Sequence, residues 1–238
     1  NLETAALSLG LDISGLTTLA GSRIDADKPA ATQDATALRR LNTAGAVLVG
    51  ALNMAEYASG ATTENTHYGA VRNPHDVTRS AGGSSGGSGA AVAGGLVPVA
   101  LGTDTNASIR VPCSLCGLFG IKPTYGRLSR QGVRLFAASF DHVGPLARSV
   151  RDLAAFYDAM QGPDPLDPVC SATIVEPSLP ALDDRPDKLR IAIADGYFAP
   201  TGVDDALAAV ARVAQALKAS RRIEIPEAAR ARAAAVVI

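Results

Sequence analysis

The chain has 238 residues, 47% of them hydrophobic and 19% charged, with a net charge of −1. That length can bury a sizeable core as one large or two small α/β units, and the near-neutral charge leaves no electrostatic footprint for nucleic acid or an anionic membrane. No apolar run reaches the roughly 18 to 20 residues of a membrane-spanning helix, and Asn1-Leu2-Glu3 opens no secretory leader.

Residues up to about 29 are rich in small and turn-forming types. Residues 32–43 predict a helix, with Asp34 near its start and Leu38 and Leu41 on one face. The continuous apolar run 46–50 predicts a buried, parallel strand. Residues 55–76 mix Gly, Thr, Asn and Pro without a period and predict a long loop. Residues 88–95 are small enough for a helix packed tightly on a sheet, with further strands expected over 97–101 and 118–121. An amphipathic helix is expected over 150–161, with Ser149 as N-cap and Leu153, Phe156, Tyr157 and Met160 facing the core. A Pro- and Asp-rich linker covers 162–188. A βαβ pattern follows (strand 189–194, helix 203–219, strand 222–225), and 227–238 begins a helix. The alternation gives an α/β fold with a mixed, mostly parallel central sheet flanked by helices.

Two glycine-rich loops dominate the middle of the chain: residues 82–89 (Gly-Gly-Ser-Ser-Gly-Gly-Ser-Gly) and 102–110 (Gly-Thr-Asp-Thr-Asn-Ala-Ser-Ile-Arg). Glycine at this density gives up folding entropy, so something requires bare backbone there. A phosphate loop would need a Lys after the last glycine, and none follows Gly87 or Gly89. A dinucleotide fingerprint would need an apolar strand directly before the glycines, and 76–80 is not apolar. A flexible linker leaves the second loop unexplained. Nucleophilic catalysis explains both loops, with serines presented beside a run of N–H groups that can hold an oxyanion. No G-x-S-x-G elbow is present, and among His67, His75 and His142 no Ser-His-Asp triad is indicated. His142 reads as structural. Cys113-x-x-Cys116 has metal or redox spacing but no second pair, so the three cysteines, Cys170 included, read as structural thiols. A small odd count fits a reducing compartment, the cytoplasm.

These loops, followed by Cys116-Gly117-x-x-Gly120-x-Lys122-Pro123-Thr124, resemble the amidase signature family. The similarity extends to Asn53-Met54-Ala55-Glu56-Tyr57, to Thr63-Glu64-Asn65 and to Asp141-x-x-Gly144-Pro145, and covers the chain from Leu11 onward. It implies one domain, with its serine loops in 82–127 and a βαβ extension from about 189. It also implies amide hydrolysis through a Ser–cis-Ser–Lys triad, without metal or cofactor. By position, Ser108 matches the nucleophile and Ser84 the bridging serine after a cis Gly83–Ser84 bond. The backbone N–H groups of Thr105, Asn106, Ala107 and Ser108 match the oxyanion hole, and Ser85, Asp104 and Arg110 match supporting positions.

Within the family, Thr105-Asn106, Arg79-Ser80-Ala81 and residues 157–164 resemble carboxybiuret-hydrolysing subunits. Lys122 to Arg127 also resembles the amidase subunits of tRNA-dependent amidotransferases. Either implies a small-molecule amide substrate and an accessory subunit or homodimer, with no nucleic acid or membrane partner.

Two departures stand out. Ser8 occupies the position of the family's lysine, so a catalytically impaired remnant is an alternative reading, and Lys28, Lys122, Lys188 and Lys218 do not replace it. Ala107 stands where glycine is usual, a strain of roughly 1 kcal/mol or more if φ is positive. Family members are about twice as long, so the chain is expected to be a fragment with an exposed sheet edge and apolar surface.

Overall fold

Short apolar runs set the frame of the molecule. The computed structural model describes residues 10–184, 189–198 and 202–235, and residues 5–8 by their backbone. The chain divides into two compact units, Asn1–Leu182 and Asp183–Ile238, the boundary falling in the expected linker.

In the first unit the elements run β1 (Ala5–Ser8), α1 (Thr36–Thr43), β2 (Leu48–Leu52) and a 3-10 turn at Glu56–Ala58. Two small antiparallel pairs follow: β3 (Glu64–Asn65) with β4 (Gly69–Ala70), and β5 (Arg72–Asn73) with β6 (Asp76–Ser80). Then come α2 (Gly86–Ala93), β7 (Val99–Asp104), α3 (Arg110–Cys116), β8 (Phe119–Gly120), β9 (His142–Ala147) and α4 (Val150–Met160). The five-stranded sheet has the order β2-β1-β7-β9-β8. β1 pairs in parallel with β2 and β7, whereas β9 is antiparallel to both β7 and β8. The α/β class therefore holds with a mixed sheet. Its antiparallel half comes from β9, whose Gly144 and Pro145 mask a strand signal in the sequence.

All six residues of β7 are buried. On it pack Leu38 and Leu41 of α1 and Phe156 and Met160 of α4, together with Leu11 and Val143. Helix α4 forms where expected, and the Ser149 Oγ accepts from the Asp152 N–H at 3.0 Å. Arg40 of α1 reaches the end of α4, donating to the carbonyls of Met160, Gly162 and Pro163 at 2.8, 3.0 and 2.8 Å. The Met160 carbonyl is one that the helix end leaves without an intrahelical donor, and the other two lie in the turn that follows.

The stretch 55–76, expected as a loop, carries the 3-10 turn and the short strands β3, β4 and β5, and three further expectations change. Helix α1 starts at Thr36, because Asp34 spends its carboxylate on the Ser14 N–H (2.7 Å) and leaves Ala35 at the cap. Strand β2 lies two residues later than expected and alternates between half-buried and exposed positions, since it forms the edge of the sheet. A strand, β6, does precede the first glycine loop despite its polar sequence. It is the arm of a separate antiparallel pair, however, not the parallel strand of a dinucleotide fold.

The second unit contains β10 (Ala192–Asp195), α5 (Asp204–Ala216), β11 (Arg221–Glu224) and α6 (Ala228–Ala234), with β10 and β11 parallel. The last helix is described to residue 235. Among the described residues, no helix is long and apolar enough to cross a membrane.

Candidate active site

The first glycine loop leads into α2 and is fastened on three sides. The Ala55 N–H donates to the Ser84 carbonyl at 3.0 Å, and the Gly87 N–H donates to the Asn53 carbonyl at 3.0 Å, both just beyond β2. Thr63 Oγ1, buried, accepts from the Gly86 N–H at 3.1 Å and lies 2.9 Å from the Gly82 carbonyl. Ser85 Oγ takes both backbone groups of Thr103 on β7, accepting from its N–H and donating to its carbonyl at 3.2 Å each. The bare backbone therefore serves packing: a Cβ on Gly83 would lie 2.6 Å from the Thr62 carbonyl carbon, and one on Gly87 would overlap the Asn53 carbonyl. Both glycines are consumed by the protein itself. The Gly83–Ser84 peptide bond is cis.

The second loop hangs from Asp104, the fully buried last residue of β7. Its carboxylate accepts from the Ala107 N–H (2.7 Å), the Ile109 N–H (3.1 Å) and the Arg110 Nε and Nη2 (3.0 Å each). Burial alone would raise the Asp104 pKa, but the Arg110 hydrogen bonds and charge and the Ile109 and Ala107 N–H groups outweigh it and hold the carboxyl below its ordinary value. Ala107 has φ +83°, the left-handed conformation that the departure from glycine put in question. Its N–H faces Asp104. The N–H groups of Thr105, Asn106 and Ser108 have no acceptor among the described residues.

The two loops meet where the Ser85 N–H donates to the Ser108 carbonyl at 3.3 Å. Ser108 is 9% exposed and Ser84 fully buried, and Ser84 Oγ has no hydrogen-bond partner among the described residues. Buried hydroxyls are rarely left so, and each exception calls for an explanation. β1 runs between β2 and β7, whose ends hold the serine loop, and Ser8 closes β1, paired with Leu52. The Ser8 side chain lies outside the described residues.

Other candidate bases point elsewhere. Lys122 Nζ donates to the Pro123 carbonyl (3.0 Å) and meets His142 Nε2 at 3.2 Å. His142 Nδ1 lies 3.1 Å from the Asp104 carbonyl, so His142 buttresses the loop, in keeping with a structural role. Burial, then the neighbouring Arg110 charge, lowers the Lys122 pKa; burial and Lys122 lower that of His142. Lys28 pairs with Asp25 at 2.7 Å, Lys218 is exposed, and Lys188 lies outside the described residues. Cys113 packs with Ile109 and Leu146, and burial pushes its thiol up to about 12.

Two residues escaped the sequence reading. Thr63 ties down the first loop. Asp141 binds Thr105 Oγ1 and accepts from the N–H groups of Phe136 and Ala137 at 2.6 and 2.9 Å. Both lie within quoted motifs, but their partners are remote in sequence.

Ala107→Gly tests the strained turn. Removing the Cβ from a residue held in the left-handed region relieves about 1–2 kcal/mol, and the extra unfolded-state entropy of glycine takes back about 0.5–1 kcal/mol. Urea unfolding is expected to show a net gain of a few tenths to about 1 kcal/mol; a loss of stability would contradict the geometry.

A mixed α/β sheet thus carries two serine-bearing loops that meet beyond its central strand β7, one of them around a non-proline cis bond. The chain belongs to the amidase family, whose model, described as "Amidase", matches residues 10–235. It is 59% identical over 227 residues to the 1-carboxybiuret hydrolase subunit of Pseudomonas sp. strain ADP, covering 95% of this chain and 50% of that protein. It is 47% identical over 200 residues to a glutamyl-tRNA(Gln) amidotransferase subunit from Anaeromyxobacter sp. strain K, covering 84% of this chain and 40% of that protein. A solved structure described as a vestigial protein complex bearing on the origins of an s-triazine catabolic enzyme superposes with a TM-score of 0.97 at 57% identity. It covers 98% of this chain and 51% of its own. The chain thus spans about half the length of the curated relatives it matches.

Proposed function

We propose that the site belongs to a hydrolase of small linear amides, with carboxybiuret-like compounds as its substrate class. The observation that carries this reading is the buried Ser84 hydroxyl, without a partner among the described residues, beside the Ser108 loop, whose Thr105, Asn106 and Ser108 N–H groups have no acceptor among them either. In this reading Ser108 Oγ attacks the amide carbonyl carbon and gives its proton through Ser84 to a base. The Thr105, Asn106 and Ser108 N–H groups hold the oxyanion. Ala107 falls out of that set, its N–H being held by Asp104. The C–N bond breaks, the amine leaves with the proton, and water hydrolyses the Ser108 ester. Ser85, Asp104 and Arg110 position the two loops.

The base would stand at position 8, where this chain has serine, so its own turnover is expected to be slow. The substrate class rests on 59% identity across nearly the whole chain to a carboxybiuret hydrolase subunit. In this reading the two units form one amidase domain, supported by a family match that spans both. An accessory subunit is the proposed partner, since these relatives are themselves named as subunits. The cytoplasm is the proposed compartment, in keeping with the free thiols of Cys113, Cys116 and Cys170.

Ammonia release by the chain carrying Ser8→Lys, offered carboxybiuret and glutamine separately, tests the proposal. Faster release from carboxybiuret, lost in Ser108→Ala, is expected. Preference for glutamine would overturn the substrate class, and release that persists in Ser108→Ala would overturn the site.

A further inference from the structure

The loop that carries Ser108 is hung from two neighbouring strand ends. β7 and β9 are antiparallel, and their register pairs Asp104, the last residue of β7, with His142, the first of β9. Each end brings one carboxylate to the loop. Asp104 grips its far side, at the N–H groups of Ala107 and Ile109 and at the Arg110 side chain. Asp141, immediately before β9 and 3% exposed, grips its near side, where its Oδ1 accepts from the Thr105 hydroxyl. The other oxygen, Oδ2, accepts from the Phe136 and Ala137 N–H groups at 2.6 and 2.9 Å. A carboxylate buried so deeply is costly unless it is well bonded. The turn at 136–137 takes up one of its oxygens, and the other is given to the loop.

We infer that Asp141 is a positioning residue, which through the Thr105 hydroxyl fixes the N–H groups of Thr105 and Asn106 where an oxyanion would form. The inference rests on the reading of Ser108 as the nucleophile. The hydrogen bonds of Asp104 begin at Ala107, so residues 105 and 106 are otherwise held by the chain alone. Donors aimed at developing charge work because they are in place before the reaction, and a displacement of about 1 Å can cost about 10²-fold in rate.

The test uses the full chain carrying Ser8→Lys, and Thr105→Val is the decisive variant. Valine keeps the branched shape of threonine and removes the hydroxyl, leaving Asp141 its bonds to residues 136 and 137. The kcat for ammonia release from carboxybiuret and the rate of fluorophosphonate labelling at Ser108 are expected to fall about tenfold or more, with KM within about threefold, as when a transition-state interaction is lost. The ¹⁵N order parameters of Thr105 and Asn106 should fall from about 0.85 towards about 0.6. Thr105→Ser should restore both readouts. Asp141→Asn should keep most of the rate, since its carboxamide oxygen can accept from the two N–H groups while its NH₂ donates to the Thr105 oxygen. Asp141→Ala should fall at least as far as Thr105→Val, which carries the test by itself if that variant does not fold. Unchanged rates in a chain whose Ser108 does react, unchanged order parameters, or no rescue by Thr105→Ser would overturn the inference alone. No adduct on Ser108 before Thr105 is changed would overturn the reading of the site, and the role of Asp141 with it.

Discussion

Ser8→Lys is expected to raise the rate at which Ser108 reacts with a fluorophosphonate by about 10²-fold or more, the usual worth of a positioned general base. The serine loop is held at Asn53–Ala55 beyond β2 and at Thr103 on β7, and β1, which ends at Ser8, is the strand between them. The loop so held carries a hydroxyl, Ser84 Oγ, that is fully buried and has no hydrogen-bond partner among the described residues. A serine at position 8 stays protonated near neutral pH and cannot take a proton from it. A lysine that reached the buried Ser84 hydroxyl from there would lose solvent, which lowers its pKa and favours the neutral base. The reaction rate should therefore rise with pH through the pKa of the introduced lysine. The gain should vanish when Ser84→Ala is combined with Ser8→Lys, because the relay then has no middle. A rate that stays within twofold of the parent chain would remove the base from position 8.

Asp104→Ala is expected to destabilise the first unit by about 3 kcal/mol. Breaking a buried ion pair from one side costs about 3–5 kcal/mol, and the lower end applies because the Arg110 side chain is half exposed and stays partly solvated. The Ala107 and Ile109 N–H groups would also lose their acceptor, so the Ser108 loop should loosen with the fold. The pH dependence follows from the sign of the shift. Asp104 is held below its ordinary pKa in the folded state, so the unfolded chain binds more protons as the medium becomes acidic. Its contribution is full above the unfolded value of about 3.9 and falls away below it. Urea unfolding of parent and variant should thus differ most at neutral pH, begin to converge below about pH 4 and close as the pH falls through the lowered folded-state pKa. A gap that persists unchanged in acid would show that packing, not the carboxylate, holds the loop.

How much of this was legible in the sequence depends on the range of the interaction concerned. Helix α4 was readable because its cap and its core stripe are local: Ser149 lies three residues from the N–H it accepts, and Phe156 and Met160 recur at helical spacing. The start of α1 was not, because Asp34 is drawn to Ser14, twenty residues away, and so does not cap the helix. β2 carries an apolar run but lies at the sheet edge, which no local pattern reveals.

The same divide runs through the site. The glycine–serine loops announced themselves by composition, yet their glycines answer to Thr62 and Asn53 and not to a ligand. Asp141 and Thr63 hold those loops through contacts 36 and 19 residues apart in sequence, and a single chain gives no sign of such pairings. Ala107 was legible as a departure, and its positive φ gives that departure a physical content.

The central claim is that Ser108 and Ser84 form the working pair of an amidase site that lacks its base at position 8. Mass-spectrometric mapping of the fluorophosphonate adduct on the Ser8→Lys chain tests it most directly. The account predicts a single adduct on Ser108, formed much faster than in the parent chain and absent in Ser108→Ala. An adduct on Ser85 or Ser88, or no adduct in the lysine-bearing chain, would contradict it.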